Sequence, residues 1–452
     1  MDFVTLDFET YYDKDYSLRK LTTEEYIRDR RFEVIGVAVK VNNRETEWIS
    51  GTHKHIKTQL QALALDEAMV LAHNTMFDGA ILSWRYGIRP RAYADTLCMS
   101  RAVHGVEDSA SLKALAGRYD IGTKGTEAAA AIGKYRTDFT SSELARYGAY
   151  CINDVDLAYE LFKRMSVGFP RKELKLIDLT LRMYIEPTLD LDMGLLEGHL
   201  AYTKNIKDNL LRDANIERAD LMSNPKFADI LRSFDVEPPM KVSPTTGKET
   251  FAFAKSDEAF KALTEHSDVR VQTAVTARLG VKSTLEETRT QRFIDIAKRG
   301  LLPVPVRYYA AHTGRWGGDD KINLQNLPSR GPNAKALKRS ILAPDGYTIV
   351  EADSSQIEAR VLAWLAEQED LVTAFTNKED VYKQMASRIY GVDEEDVNKD
   401  QRFVGKTTIL GAGYGMGAVR FKEQLKNFGF DMDLDEARRV IDIYRNANSQ
   451  IH

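Results

Sequence analysis

Tyr347-Thr-Ile-Val-Glu-Ala-Asp353-Ser-Ser-Gln-Ile-Glu358-Ala-Arg360-Val-Leu-Ala-Trp-Leu365 is the stretch around which the chain is organised. Ile349 and Val350 ahead of Asp353 predict a short buried strand that ends on a carboxylate. Ile357, Val361, Trp364 and Leu365 then recur at i, i+4, i+7 and i+8, the stripe of an amphipathic helix. Asp353 is thereby expected where a strand hands over to a helix, a common place for a metal-binding carboxylate. An Asp or Ser before a helix also serves as an N-cap, and this stretch by itself leaves both readings open.

Composition sets the outer bounds. A chain of 452 residues exceeds one core and is expected to split into on the order of two to four domains. With 43% hydrophobic and 29% charged residues it has the make-up of a globular protein, not of a disordered one. A formal net charge of -4 gives no overall pull on nucleic acid, so any polyanion must be held by local basic faces. Cys98 and Cys151 are the only cysteines, which excludes a disulfide framework and a Cys-x-x-Cys zinc site. No apolar run approaches the roughly 20 residues of a membrane span. The start, Met-Asp-Phe-Val, lacks a signal peptide's pattern, and a reducing cytoplasm is the expected compartment.

Working outward to the N-terminus, Phe3-Val-Thr-Leu-Asp7-Phe-Glu9-Thr predicts a core strand. Residues two apart share a face, so Asp7 and Glu9 point together, away from Leu6 and Phe8. Like charges so placed repel unless a cation lies between them, and a divalent metal is the simplest candidate; a solvated edge strand is the alternative. Val70-Leu-Ala-His-Asn74-Thr-Met-Phe-Asp78 runs from strand into helix. Ser142 to Val155 has helical period, with Leu144, Tyr147, Cys151 and Val155 as its apolar stripe and Tyr150 and Asp154 sharing another face.

The order Asp-x-Glu, Asn-x-x-x-Asp, Tyr-x-x-x-Asp resembles the 3′→5′ proofreading exonucleases of the type with four carboxylates and a tyrosine. Tyr93-Ala-Asp95-Thr96 and Ser111-Leu112 are similar to that family's intervening segments, and the likeness covers about residues 1–165. It implies an RNase H-like domain in which Asp7, Glu9, Asp78 and Asp154 hold two Mg²⁺ or Mn²⁺ about 4 Å apart, with Tyr150 orienting the attacking water.

Downstream, Phe169 to Thr290 is mostly helical by pattern, with Leu210, Leu211, Phe227, Ile230, Leu231, Phe260 and Leu263 as core positions. Asp235 to Gly247 is a turn-rich loop. Gly280-Val-Lys-Ser-Thr lacks the glycine and the order of a phosphate loop. Lys282 there is either a phosphate contact or a solvated helix end. His312-Thr313-Gly314-Arg315-Trp316 and Asn323-Leu-Gln325-Asn326-Leu-Pro328 concentrate guanidinium, amide and glycine groups, which can meet minor-groove base acceptors; a surface loop capped by amides is the alternative. Arg402, Lys406, Leu410 and Tyr414 follow at intervals of four, a slowly drifting stripe about 18 Å long. Two cations, an apolar residue and a phenol suit a nucleotide, whereas a solvated basic helix end would need only the cations.

Together these segments resemble the family A DNA polymerases of the polymerase I and T7-like kind. The resemblance implies an α/β chain with an exonuclease followed by a right-hand polymerase. The expected boundaries are 1–165 for the exonuclease, 166–300 for a helical connection and thumb, 301–370 for part of the palm and 371–452 for the fingers. It implies that Asp353 and the Ser354 carbonyl ligate two Mg²⁺, and that Arg402 and Lys406 bind the incoming dNTP. Lys406 would also protonate pyrophosphate, Tyr414 would pack beside the new pair and Glu358 would exclude a ribose 2′-hydroxyl. Arg315, with Gln325, Asn326 and Lys282, would contact primer–template DNA.

Two departures stand out. Leu410 occupies a position where the family usually has Phe or Tyr. The family's later His-Asp-Glu motif is not reached by His452, and the acidic run Asp431 to Glu436 reads as a helix start. The expectation is a phage-type, split or truncated polymerase in a bacterial host cytoplasm, completed by a second polypeptide that carries the motif. Two alternatives are a working 3′→5′ exonuclease whose polymerase half only grips DNA, and a DNA-binding subunit with both sites decayed.

Overall fold

The computed structural model describes residues 2–125, 130–243, 245–255, 257–327 and 335–451. Packing divides the chain into two units, Met1–Pro238 with His266–Ile349, and Pro239–Glu265 with Val350–His452. The divide at Ile349 differs from the boundaries expected at 300 and 370. Residues 301–349 pack with the helices of the first unit, and the excursion 239–265 belongs to the second.

The first unit is built on a sheet ordered β3-β2-β1-β4-β5, from strands β1 (Phe3–Thr10), β2 (Val34–Val41), β3 (Glu47–Ser50), β4 (Met69–Ala72) and β5 (Ala92–Asp95). β1 is central: it pairs antiparallel with β2, setting Asp7 opposite Ala38 and Glu9 opposite Gly36, and parallel with β4. Val4, Leu6 and Phe8 go into the core, so the alternation turns Asp7 and Glu9 to the other face, as the pattern predicts.

A 25-residue helix, Ser141–Met165, lies across that face and starts in a capping box between Thr140 and Glu143. Trp48 is wedged between sheet and helix. A Cβ on Gly148 would sit 2.7 Å from the indole, so only glycine lets the helix come this close. The short helix Thr75–Ile81 brings Asp78 under β1. It starts from Asn74 at φ 81°, a left-handed turn pinned by the Asn74 N–H donating to Asp95 Oδ1 at 3.1 Å. Asp95 also accepts the Leu97 N–H at 2.7 Å and so caps the helix Thr96–His104, a structural task for a carboxylate singled out by resemblance.

Further along the first unit, the helix Met193–Ala214 packs on Val269–Lys282 and Leu285–Arg299. Phe227 and Leu231 are fully buried as expected, while Leu210, Leu211 and Ile230 are half-buried. His312 to Trp316 forms the loop of a small hairpin, Val306–Arg307 against Gly317–Gly318, in which the Ala310 N–H donates to the Arg315 carbonyl at 2.8 Å.

In the second unit, helices Val381–Tyr390, Lys399–Gly413, Ala418–Asn427 and Leu434–Ala447 enclose Met385, Val404, Phe421, Leu425 and Val440. A Cβ on Gly405 would collide with the Tyr382 carbonyl, so glycine at this position lets the helices Val381–Tyr390 and Lys399–Gly413 approach closely. Asp433 caps Leu434–Ala447 by accepting the Glu436 N–H at 2.7 Å, which makes the acidic run the helix start that was expected. Asp235 to Gly247 is more ordered than expected, because Met240–Val242 pairs with Glu249–Phe251. Phe260 of this excursion is buried and Leu263 half-buried.

The strand expected at Ile349–Val350 does not form. Ile349 is 52% and Val350 82% exposed, and no ladder partner lies beside them among the described residues. β-propensity expresses itself only where a neighbouring strand satisfies the backbone. The helix does form, as Ile357–Leu365, yet its apolar stripe faces out, with Trp364 69% and Leu365 67% exposed. Its buried residues are instead Ala359 and Ala363, and it packs on the helices Glu369–Thr376 and Lys399–Gly413. Its first turn is entered from Gln356 with no side-chain cap, so Asp353 is not an N-cap either.

Candidate active site

The face of β1 that carries Asp7 and Glu9 opens into a cleft of about 840 Å³. Lys124, Tyr150 and Asp154 stand on its wall, with Lys14 and Arg19 also lining it. The long helix presents Tyr147, Tyr150, Cys151 and Asp154, spaced at three, four and seven, to the strand. The Tyr147 hydroxyl donates to Glu9 Oε2. The Cys151 thiol donates to the Asp7 carbonyl at 3.2 Å and lies 3.6 Å from Asp7 Oδ2. Asp154 is paired with the Lys124 ammonium and hydrogen-bonded by Tyr150. Asp78, buried beneath, accepts the Phe8 N–H at 3.0 Å.

So much negative charge in so little water is costly in the ionised form. Burial first, and Asp154 second, push Asp7 up to about 7. Burial and the neighbouring Asp7 push Glu9 up to about 8, with the Tyr147 hydrogen bond opposing. Burial and Asp7 likewise hold Asp78 well above the usual carboxylate range. The same surroundings raise the Cys151 thiol and both tyrosines.

Donor atoms of Asp7, Glu9 and Cys151 lie within 4.8 Å of one another. Two carboxylates that resist ionisation side by side fit a divalent cation, whose charge would relieve their repulsion and offset the cost of burying them ionised. Asp78 and Asp154 stand outside this trio, with their oxygens turned to the Phe8 N–H and to Lys124.

Lys124 on the cleft wall, and Tyr147 and Cys151 buried behind it, are not singled out as site residues by the sequence pattern. Tyr147 and Cys151 read as an apolar stripe, although a helix face about 100° wide takes in 147, 150, 151 and 154 together. Lys124 lies in an irregular segment, where spacing carries no signal.

The polymerase-like residues are placed less closely. Arg402, Lys406 and Leu410 line one face of Lys399–Gly413, and Tyr414, 70% exposed, ends it. Arg402 donates to Asp380 Oδ2 at 2.7 Å and lies over the Tyr382 ring at 5.4 Å. Glu358 is within electrostatic reach of Tyr382. Lys406 is exposed. Asp353 is exposed in the irregular segment before Ile357, with no hydrogen bond or ion pair among the described residues, while the Ser354 carbonyl accepts the Ile357 N–H at 3.3 Å. Arg315, Gln325, Asn326 and Lys282 are exposed positions of the first unit. Pro328 lies outside the described residues.

A family described as DNA polymerase family A matches residues 199–452, more than half of the chain. The chain belongs to DNA polymerase family A. Residues 4–168 match a second family, described as 3′-5′ exonuclease. Among curated relatives, this polymerase-family chain is 37% identical over 145 residues to DNA polymerase I of Chloroflexus aurantiacus, which is 32% of this chain and 15% of that one. It is 35% identical over 164 residues to DNA polymerase I of Pseudomonas aeruginosa, or 36% and 17% of the two chains. The match thus spans about a sixth of those relatives' length.

A solved structure, the POL domain of Pol1 from M. smegmatis in complex with DNA primer-template and dNTP, superposes with a TM-score of 0.67. It is 19% identical, and the match covers 100% of this chain and 73% of that one. At that identity the likeness speaks for the fold. No helix among the described residues is long and apolar enough to cross a membrane.

Proposed function

We propose that this family A chain removes nucleotides from DNA 3′ ends in the β1 cleft and extends primers by template-directed dNTP addition from its second unit. The observation that carries the nuclease reading is the meeting of Asp7, Glu9, Tyr150 and Asp154 at one cleft. Asp7 and Glu9, with Asp78 and Asp154 behind them, would hold Mg²⁺ or Mn²⁺. Bound there, the ions would supply an ionised water and charge relief at the leaving 3′ oxygen. Tyr150, held by Asp154, orients that water. Tyr147 fixes the Glu9 carboxylate, and the Lys14 and Arg19 cations attract the phosphate backbone. The double substitution Asp7→Ala with Glu9→Ala should lower degradation of single-stranded DNA by roughly 10³-fold, the scale of losing charged groups at the reacting atoms. Turnover at the level of the unmodified chain would end this reading.

For polymerisation, Asp353 and the Ser354 carbonyl would ligate the palm ions. Arg402 and Lys406 would take the triphosphate, Arg402 exchanging Asp380 for it, and Lys406 would protonate the leaving pyrophosphate. Leu410 and Tyr414 would flank the base, Glu358 would exclude a 2′-hydroxyl, and Arg315, Gln325, Asn326 and Lys282 would grip the duplex. The exposure of Asp353 favours a second reading, an exonuclease whose polymerase half only binds DNA. Nothing in the comparisons supports a separate polypeptide that completes the palm. Primer extension with labelled dNTP, with and without a fragment bearing a His-Asp-Glu segment, separates the cases. Extension by the chain alone establishes polymerisation, extension only with the fragment indicates complementation, and none in either leaves the nuclease reading.

A further inference from the structure

A second recess, of about 330 Å³, opens in the first unit between the helix Leu285–Arg299 and residues 318–327. Its charged lining is Arg289, Arg292, Lys321 and Asp319. Elsewhere on the helix, Glu287 pairs with Lys207 at 2.5 Å and Arg299 with Glu24 at 2.6 Å, while Asp295, three residues after Arg292, accepts from the Gln291 amide at 2.9 Å. Thr290, Phe293, Ile294 and Ile296 are buried. Arg289 and Arg292, three apart and therefore neighbours, are half-buried and form no ion pair within 4.0 Å among the described residues. Arg289 instead donates to the Asn326 carbonyl at 3.3 Å and Lys321 to the Lys20 carbonyl at 2.9 Å.

The acids nearby form no ion pair with them among the described residues. Asp319 is held by Arg307 through two contacts of 3.3 Å, and Glu25, which feels Arg292, is committed to the cap of its own helix at Thr22. Three cations gathered around one recess repel each other unless an anion joins them. The recess has room for a tetrahedral anion among these three side chains.

We propose that this recess binds a backbone phosphate of the primer–template duplex whose bases face Gln325 and Asn326. The Asn326 carbonyl already holds Arg289, so the amides and the recess form one continuous surface. The inference rests on the reading of the chain as a binder of primer–template DNA, and it adds to that reading the residues that fix the strand's register.

The test is the affinity of the full chain for a fluorescent primer–template between about 50 and 200 mM salt, where each lost phosphate contact removes about 0.9 from the log–log slope. The double substitution Arg289→Gln with Arg292→Gln should flatten the slope by about 1 to 2 and weaken binding roughly tenfold at the low-salt end. Degradation of a short single strand in the β1 cleft should stay unchanged, which reports an intact first unit. Lys321→Gln should flatten the slope in the same direction by less. Lys54→Gln, on a distant exposed helix position, should leave it alone.

A slope unaltered in the double variant overturns the proposal while leaving DNA binding intact. Failure of the unmodified chain to bind primer–template at all would overturn the underlying reading and the proposal with it. Inorganic phosphate at constant ionic strength distinguishes the source of the anion. Weaker DNA binding with added phosphate in the unmodified chain, and not in the double variant, supports the duplex contact; phosphate binding that the double variant loses while its DNA affinity and salt slope stay unaltered would assign the recess to free phosphate and overturn it.

Discussion

Asp7 and Asp353 are introduced by the same kind of sequence, a run of strand-forming residues that reaches a carboxylate, yet they occupy opposite environments. β1 lies between β2 and β4, with a 25-residue helix laid over it. Asp7 is paired with Ala38 of β2, its carbonyl accepts from the Cys151 thiol, and its carboxylate feels Asp154, Lys124 and Cys151. Asp353 stands in an exposed segment whose neighbours Ile349 and Val350 find no ladder among the described residues. A carboxylate becomes a site when its strand has partners and a second element closes over it. Propensity alone places the residue without building the pocket.

The sharpest break of this comparison is to remove each carboxylate in turn. Asp353→Ala should abolish primer extension, by roughly 10³-fold or more, while leaving 3′-end degradation within about twofold. Parallel loss of both activities would show that the two regions are not separately built. Next, Tyr147→Phe removes the phenol that orients Glu9 without removing any proposed ligand. A partner of this kind typically costs 10–100-fold when lost, and Mn²⁺ affinity and exonuclease turnover should fall together on about that scale. No change would mean that Glu9 is held by burial alone.

The nuclease region was legible where a one-dimensional period sufficed. Alternation on β1 placed Asp7 and Glu9 on one face, and a spacing of four placed Tyr150 and Asp154 together. What escaped depends on the third dimension. Lys124 reaches Asp154 from an irregular segment, and Tyr147 reads as core until the helix is seen to cross β1. In the second unit the helix Ile357–Leu365 was found, but its burial was inverted. Ala359 and Ala363 face the core, so the expected stripe of Ile357, Val361, Trp364 and Leu365 is left in solvent. The strand before it failed because pairing, unlike helix formation, requires a neighbour.

A pH series sharpens the contrast in a metal-chelated sample. Asp7 and Glu9 are raised to about 7 and about 8, so the folded chain binds more protons than the unfolded chain between about pH 4 and pH 8. Stability is therefore fully supported at the acid end of that window and falls as pH rises through it. The melting temperature should drop by several degrees from pH 5.5 to 8.5. Asp7→Asn with Glu9→Gln should flatten the drop, and Asp353→Asn should not. The smallest expected effect is that of Leu410→Phe, which adds an aromatic face to the helix Lys399–Gly413 and should change the KM for dNTP several-fold without abolishing incorporation. Identical nucleotide kinetics would argue that this face does not meet the nucleotide.

Asp7 and Glu9 either form a cation site within this chain or they do not. Titration of Mn²⁺ into the chelated protein, followed by calorimetry, tests that most directly. The account predicts saturable binding that is lost in Asp7→Asn with Glu9→Gln and retained in Asp353→Asn. Equal binding in all three proteins would contradict it.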